Sequence, residues 1–143
     1  MLSLSIRTVM EARSLVVAPP HASVRDASRL MRDGKVGAVL VTEDDRLTGI
    51  FTERDVVYRV IAAGRDPATT VLREVMTPDP KTVAPDESFG FALLLMHENG
   101  FRHAPVVENG KVLGVVSARN ALDPELEEFV AEAERRRHIR RHA

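Results

Sequence analysis

Seven residues, Gly49-Ile50-Phe51-Thr52-Glu53-Arg54-Asp55, combine groups that suit a phosphorylated sugar. The apolar run ending at Phe51 reads as a strand, and the polar residues after it open a helix. The first N–H groups of a helix have no partner inside it, so its positive end is a natural seat for phosphate. The Thr52 hydroxyl adds a further hydrogen bond. Asp55 follows three residues later, nearly one turn on, and so points the same way. Its carboxylate can accept both hydroxyls of a ribose. Arg54 supplies positive charge for a polyphosphate, and short apolar strands can sandwich an adenine ring. The same pattern also has a purely local use. Thr-x-x-Asp is close to an N-terminal capping box, in which both side chains only satisfy backbone donors.

The motif has an echo at Gly114-Val115-Val116-Ser117-Ala118-Arg119-Asn120. Residues 20–55 align with 85–120 without a gap, at an offset of 65. Pro20 falls on Pro85, Ser23 on Ser88, Gly49 on Gly114 and Arg54 on Arg119. A repeat of this kind means two copies of a small unit, and a cleft between them repeats any site it contains. The copies differ where chemistry is at stake. Asn120 stands in place of Asp55, and an amide cannot accept both ribose hydroxyls as a carboxylate does. Glu53 would repel phosphate, whereas Ala118 would not. The expectation is two unequal sites, with tighter ribose binding on the Asp55 side.

The elements that must hold these residues follow one order in both copies. Short apolar stretches at 15–18 and 82–84 read as strands. Ser23 and Ser88 are good N-caps for the helices that follow. Val24, Ala27, Leu30 and Met31 share one helical face, as do Phe89, Ala92, Leu95 and Met96. Gly34 and Asn99-Gly100 are natural stops. Strands follow at 36–41 and 47–51, and at 104–107 and 112–116, joined by Glu43-Asp44-Asp45 and by Glu108-Asn109-Gly110. Asn-Gly is a strong hairpin signal. A helix then runs from Thr52 to Gly64, and its counterpart is interrupted near Asp123-Pro124. The fold class is α/β (α+β): two units, each strand-helix-strand-strand-helix, packed with pseudo-two-fold symmetry, plus a C-terminal helix. The expected division is 1–66, 67–122 and 123–143. In the tail, Asp123 caps a helix whose acidic start (Glu125, Glu127, Glu128) and arginine-rich end suit the helix dipole. Leu126, Phe129, Val130 and Ala133 form its narrow apolar stripe.

Composition narrows the function. The 143 residues carry a net charge of −1 and only 4% aromatics, which argues against nucleic-acid binding. The arginine-rich tail is the one feature favouring DNA; a solvated helix face is the simpler reading. With no cysteine, disulfides, thiol catalysis and cysteine-ligated metals are excluded. His97 and His103 have no clustered acidic partners, so no metal site is expected. No nucleophile stands beside an oriented base, so the chain is not expected to be an enzyme. The start of the chain lacks a secretory pattern and no stretch has the apolar length of a membrane span, so the expectation is a cytoplasmic location.

Taken in order, these marks resemble the CBS domain (the cystathionine β-synthase type), and the pair resembles a Bateman module. Val75-Met76-Thr77-Pro78 looks like the family's lead-in, with Val9-Met10 as a weaker copy. Arg102-His103-Ala104-Pro105-Val106-Val107 looks like its second strand, and Gly-x-x-Ser/Thr-x-x-Asp closes the third. The resemblance spans roughly Thr8 to Asn120. It implies adenosyl ligands (AMP, ADP, ATP, S-adenosylmethionine or NAD) held by Thr52, Arg54 and Asp55 and by Ser117, Arg119 and Asn120. It also implies that His103 and Ala104 line the cleft, while Ala38-Val39-Leu40 departs from that pattern in the first copy. No cofactor is required; the nucleotide is a regulatory ligand. The implied protein is a free-standing regulatory module that forms a homodimer and signals to a separate effector protein. The alternative is a structural or interaction module with vestigial sites, which Glu53 and Asn120 favour.

Overall fold

The computed structural model describes the backbone of residues 1–122 and 124–142, with the side chains of 12, 124–130, 141 and 142 left aside. In chain order the elements are α1 (Ile6–Val9), β1 (Val17–Ala18), α2 (Val24–Gly34), β2 (Ala38–Glu43), β3 (Arg46–Thr52) and α3 (Glu53–Asp55). They continue with α4 (Leu72–Val75), β4 (Thr77–Pro78), α5 (Phe89–Asn99), β5 (His103–Glu108), β6 (Lys111–Ser117) and α6 (Pro124–His142). A short 3₁₀ turn covers Ala12–Ser14, and another covers Ala118–Leu122. The regular helix expected from Thr52 to Gly64 is not formed. After α3 the winding widens into a π-helix over Val56–Ile61, where the Ala62 N–H reaches back five residues to the Val57 carbonyl.

Local chemistry sets most of these boundaries. Ser23 Oγ accepts the Asp26 N–H and Ser88 Oγ accepts the Phe91 N–H, each at 3.1 Å, so both long helices start where a cap is available. α5 ends at Gly100, with φ 72°. α2 runs to Gly34, but its left-handed cap is the next residue, Lys35, with φ 54° and ψ 43°. Both hairpins turn through two residues of positive φ, Asp44-Asp45 and Asn109-Gly110. Aspartate tolerates that region well enough to stand in for Asn-Gly.

In the first unit β1, β2, β3 and β4 form one sheet in that order, with β1 parallel to β2 and the other pairs antiparallel. In the second, β5 pairs with β6, and the strand expected at 82–84 reduces to a parallel bridge between Val83 and Val106. The near-continuous apolar run of β2 has a direct cause, because both faces of the strand are covered. Val39 and Val41 face the first unit's core, with Val24, Ala27 and Phe51. Ala38 and Leu40 face Ile50 and Val115, where the two hairpins back onto each other.

The lead-in helices are exchanged. Ile6 and Val9 of α1 are buried in the second unit's core with Phe89 and Val106, while Leu72 and Val75 of α4 are buried in the first. The anchoring bonds repeat as well. Ile6 and Arg7 donate to the carbonyls of Glu87 and Pro85 at 2.8 and 2.9 Å, and Leu72 and Arg73 donate to those of Ala22 and Pro20 at 2.9 Å. In α6, Glu132 pairs with Arg135 and Arg136 at 2.9 and 3.1 Å, a solvated arrangement. The expected cap Asp123, Glu125, Glu127 and Glu128 and the stripe Leu126, Phe129 and Val130 lie outside the described residues or side chains.

Two stability effects follow. Leu72→Ala removes a fully buried side chain from the opposite unit's core and is expected to cost about 2–5 kcal/mol in urea unfolding. Lys35→Gly relieves a left-handed residue and is expected to stabilise by ~1 kcal/mol in the same measurement.

Candidate functional site

Where β3 runs into α3, Thr52 and Asp55 close on each other. Asp55 Oδ2 accepts the Thr52 N–H at 2.9 Å and lies 3.1 Å from the Thr52 hydroxyl, which in turn accepts the Asp55 N–H at 3.3 Å. The capping box is therefore formed in full. The other carboxylate oxygen, Oδ1, stands 3.4 Å from Arg59 Nε. Arg59 Nη1 also donates to the carbonyls of Val75 and Met76 at the end of α4, each at 3.1 Å. One arginine thus ties Asp55 to the lead-in of the second unit. Arg54 points into solvent, with its guanidinium 5.2 Å from the centre of the Tyr58 ring.

The echo keeps the cap with a different residue. Asn120 Oδ1 accepts the Ser117 N–H at 2.7 Å, and Ser117 Oγ accepts the Arg119 N–H at 3.1 Å. Asn120 is only 6% exposed. The cap uses one acceptor, and an amide oxygen supplies one, so exchanging carboxylate for amide leaves this local role intact.

These bonds correct one expectation. The phosphate seat on free helix N–H groups is largely filled. The Thr52 and Asp55 N–H groups are taken by the capping box, and the Glu53 N–H donates to the Gly37 carbonyl at 3.0 Å. In the second unit the Ala118 N–H goes to the Arg102 carbonyl at 3.0 Å. Any anion held here must be held mainly by side chains.

A cleft of about 490 Å³, part of it open to solvent, lies between the units on the Ser117–Asn120 side. It brings together His103, Ser117, Arg119 and Asn120 from the expected set. Ala104, also expected to line it, is fully buried in the second unit's core. Thr52, Arg54 and Asp55 lie on the other half. Sequence reasoning missed Glu11, Arg13, Ser14, Lys35, Val36 and Gly37, which also line it. One signal for the lead-in residues Glu11, Arg13 and Ser14 was present: the lead-ins echo at an offset of 66, not 65, so the first copy carries one extra residue before Pro20. In the first unit the lead-in lies along β3 as strand β4. In the second, the corresponding segment coils into the Ala12–Ser14 turn and gives β6 one hydroxyl, Ser14 Oγ, which accepts the Val115 N–H at 3.0 Å.

Gly37 leaves room for two side chains that close over it. A Cβ at this position would lie 2.9 Å from His103 Nε2 and 3.0 Å from Glu53 Oε1. Glu53 reaches across the units to Arg119, with Oε1 3.0 Å from Nη2. Burial pulls the His103 pKa below the usual imidazole value; Glu53 opposes this and Arg119 adds to it. Among the described residues no group of three or more histidines or carboxylates is placed to hold a metal, and no helix is long and apolar enough to cross a membrane.

The depressed His103 pKa fixes the sign of a pH effect. The neutral form is favoured on folding, so this contribution is fully present above the unfolded value of about 6.5 and is lost as pH falls through the folded one. Urea midpoints taken at falling pH are expected to drop below that value, and to drop less in His103→Gln.

The profile of the CBS domain matches residues 6–62 and 72–124. An uncharacterized protein of Methanopyrus kandleri, MK0525, is 32% identical over 126 residues, covering 87% of this chain and 64% of the relative. The chain thus spans less than two thirds of that protein, and 21% and 19% of two longer Arabidopsis thaliana relatives. A conserved protein of Pyrococcus horikoshii, known by crystal structure, superposes with a TM-score of 0.77 at 31% identity, over 85% of this chain and 92% of that one. The CBS domain pair of protein MJ0100, solved with 5′-methylthioadenosine and S-adenosyl-L-methionine, shares the fold at a TM-score of 0.74 and 18% identity, over 82% and 96% of the two chains.

Proposed function

The chain belongs to the CBS-domain family as a tandem pair, and we propose that it is a non-catalytic regulatory module that binds an adenosyl ligand in the cleft between its two units. The ligands in question are AMP, ADP, ATP, S-adenosylmethionine and NAD. The observation that carries this reading is the cleft itself, where Ser117, Arg119, Asn120 and His103 of one unit face Gly37 and Ala38 of the other. Ala38 and Val115 offer apolar walls to an adenine, Ser117 and Asn120 offer hydrogen bonds to a ribose, and Arg119 offers charge to a phosphate. The adenosyl compounds bound by MJ0100 show which chemistry a CBS pair accepts in that protein.

Regulation follows by linkage. A ligand touching both units favours the arrangement it binds best, by no more than its differential affinity. Signalling then passes to a separate effector. Val57, Tyr58 and Ile61 are 55%, 64% and 59% exposed on the π-helix, an apolar face that we assign to a homodimer contact. The second reading, an interaction module with vestigial sites, draws on the engaged carboxylate of Asp55.

Thermal unfolding with AMP, ATP, S-adenosylmethionine or NAD separates the two. A ligand at a hundred times its Kd stabilises by about 2.7 kcal/mol, a rise of several degrees. No rise with any of them at millimolar concentration supports the interaction module. By titration calorimetry, Asn120→Ala is expected to lose more affinity than Asp55→Ala. The reverse result would put the ribose on the Asp55 half, as the residue types alone favour.

A further inference from the structure

One carboxylate reaches across the two units at this cleft. Glu53 belongs to the first unit's motif, yet its Oε1 stands 3.0 Å from Nη2 of Arg119, in the second. Gly37 makes the crossing possible, because its carbonyl anchors the Glu53 N–H at 3.0 Å and its missing side chain leaves room for the carboxylate beside His103. The arrangement is one-sided: the echo positions hold Ala118 and Arg102. Nearby, Arg13 Nε is paired with Glu11 Oε2 at 2.6 Å, whereas Lys35 has no ion-pair partner among the described residues.

We infer that Glu53 is a specificity-determining residue: its carboxylate occupies the anion position on Arg119, and a ligand phosphate takes that position by displacing it. The inference rests on the adenosyl reading above. Glu53 and Arg119 side chains are 56% and 70% exposed, and so exposed a pair holds weakly, so displacement is easy. What persists is the repulsion between a nearby carboxylate and each phosphate charge, which grows with phosphate number and is screened by salt. The cleft thus accepts one phosphate and disfavours a chain of them.

Calorimetric titration of the full chain with adenosine, AMP and ATP tests this in wild type, Glu53→Gln and Arg119→Gln. Glu53→Gln keeps an acceptor for Arg119 and removes only charge. It is expected to leave adenosine unchanged, tighten AMP about three-fold and ATP roughly ten-fold, with both gains shrinking at high salt. Arg119→Gln is expected to weaken AMP and ATP and spare adenosine. An equal loss for all three ligands in Glu53→Gln would reduce Glu53 to a structural tie between units, and unchanged ligand ratios would overturn the inference outright. If neither wild type nor variants bind any of the three, the adenosyl reading itself falls and takes this one with it.

Discussion

Two hairpins, β2–β3 and β5–β6, back onto each other through Ala38, Leu40, Ile50 and Val115, and the rest of the molecule is arranged around that contact. Each unit alone would be marginal, because so small a domain buries a low fraction of its surface. Packing sheet against sheet gives β2 a second buried face, which is why four successive residues there are almost fully enclosed. It also brings the ends of the strands together. The cleft lies at those ends, so its walls come from both units.

The exchanged lead-ins add a second tie. α1 completes the second unit's core, and the chain then returns past the cleft through Arg13 and Ser14 before entering the first sheet. α4 does the reverse, and Arg59 fastens its end to Asp55. A ligand in the cleft would therefore touch a segment rooted in both cores. A change of arrangement at the site has short routes into each unit, as linkage between them requires.

The departures from symmetry are compensated locally. Glu53 with Gly37 in one unit corresponds to Ala118 with Arg102 in the other, a large residue beside a small one each time. In both, the backbone bond between the pair survives at 3.0 Å. Asn120 keeps the single acceptor its cap needs. The scaffold is thus symmetric at the level of backbone bonds, while the charge lining the two halves is free to differ.

The repeat, the helix starts at Ser23 and Ser88, the hairpins and the family were legible in the residues alone, because caps, turn residues and short apolar strand runs act over a few positions. So was the choice posed by Thr52 and Asp55, between ribose contact and capping box. The tertiary structure showed the capping box formed, but it was not local rules that placed the cleft. Lys35 as the left-handed residue, the widened helix after Asp55, the exchange of α1 and α4, and the crossing of Glu53 to Arg119 all depend on partners far away in the chain. The first lead-in, one residue longer before Pro20, forms a 3₁₀ turn at Ala12–Ser14 where the second forms β4, and no residue type announces that. Sequence by itself determined which groups were on hand for binding. Packing between the units decided which of them share a cavity, since that depends on distances set by two cores at once.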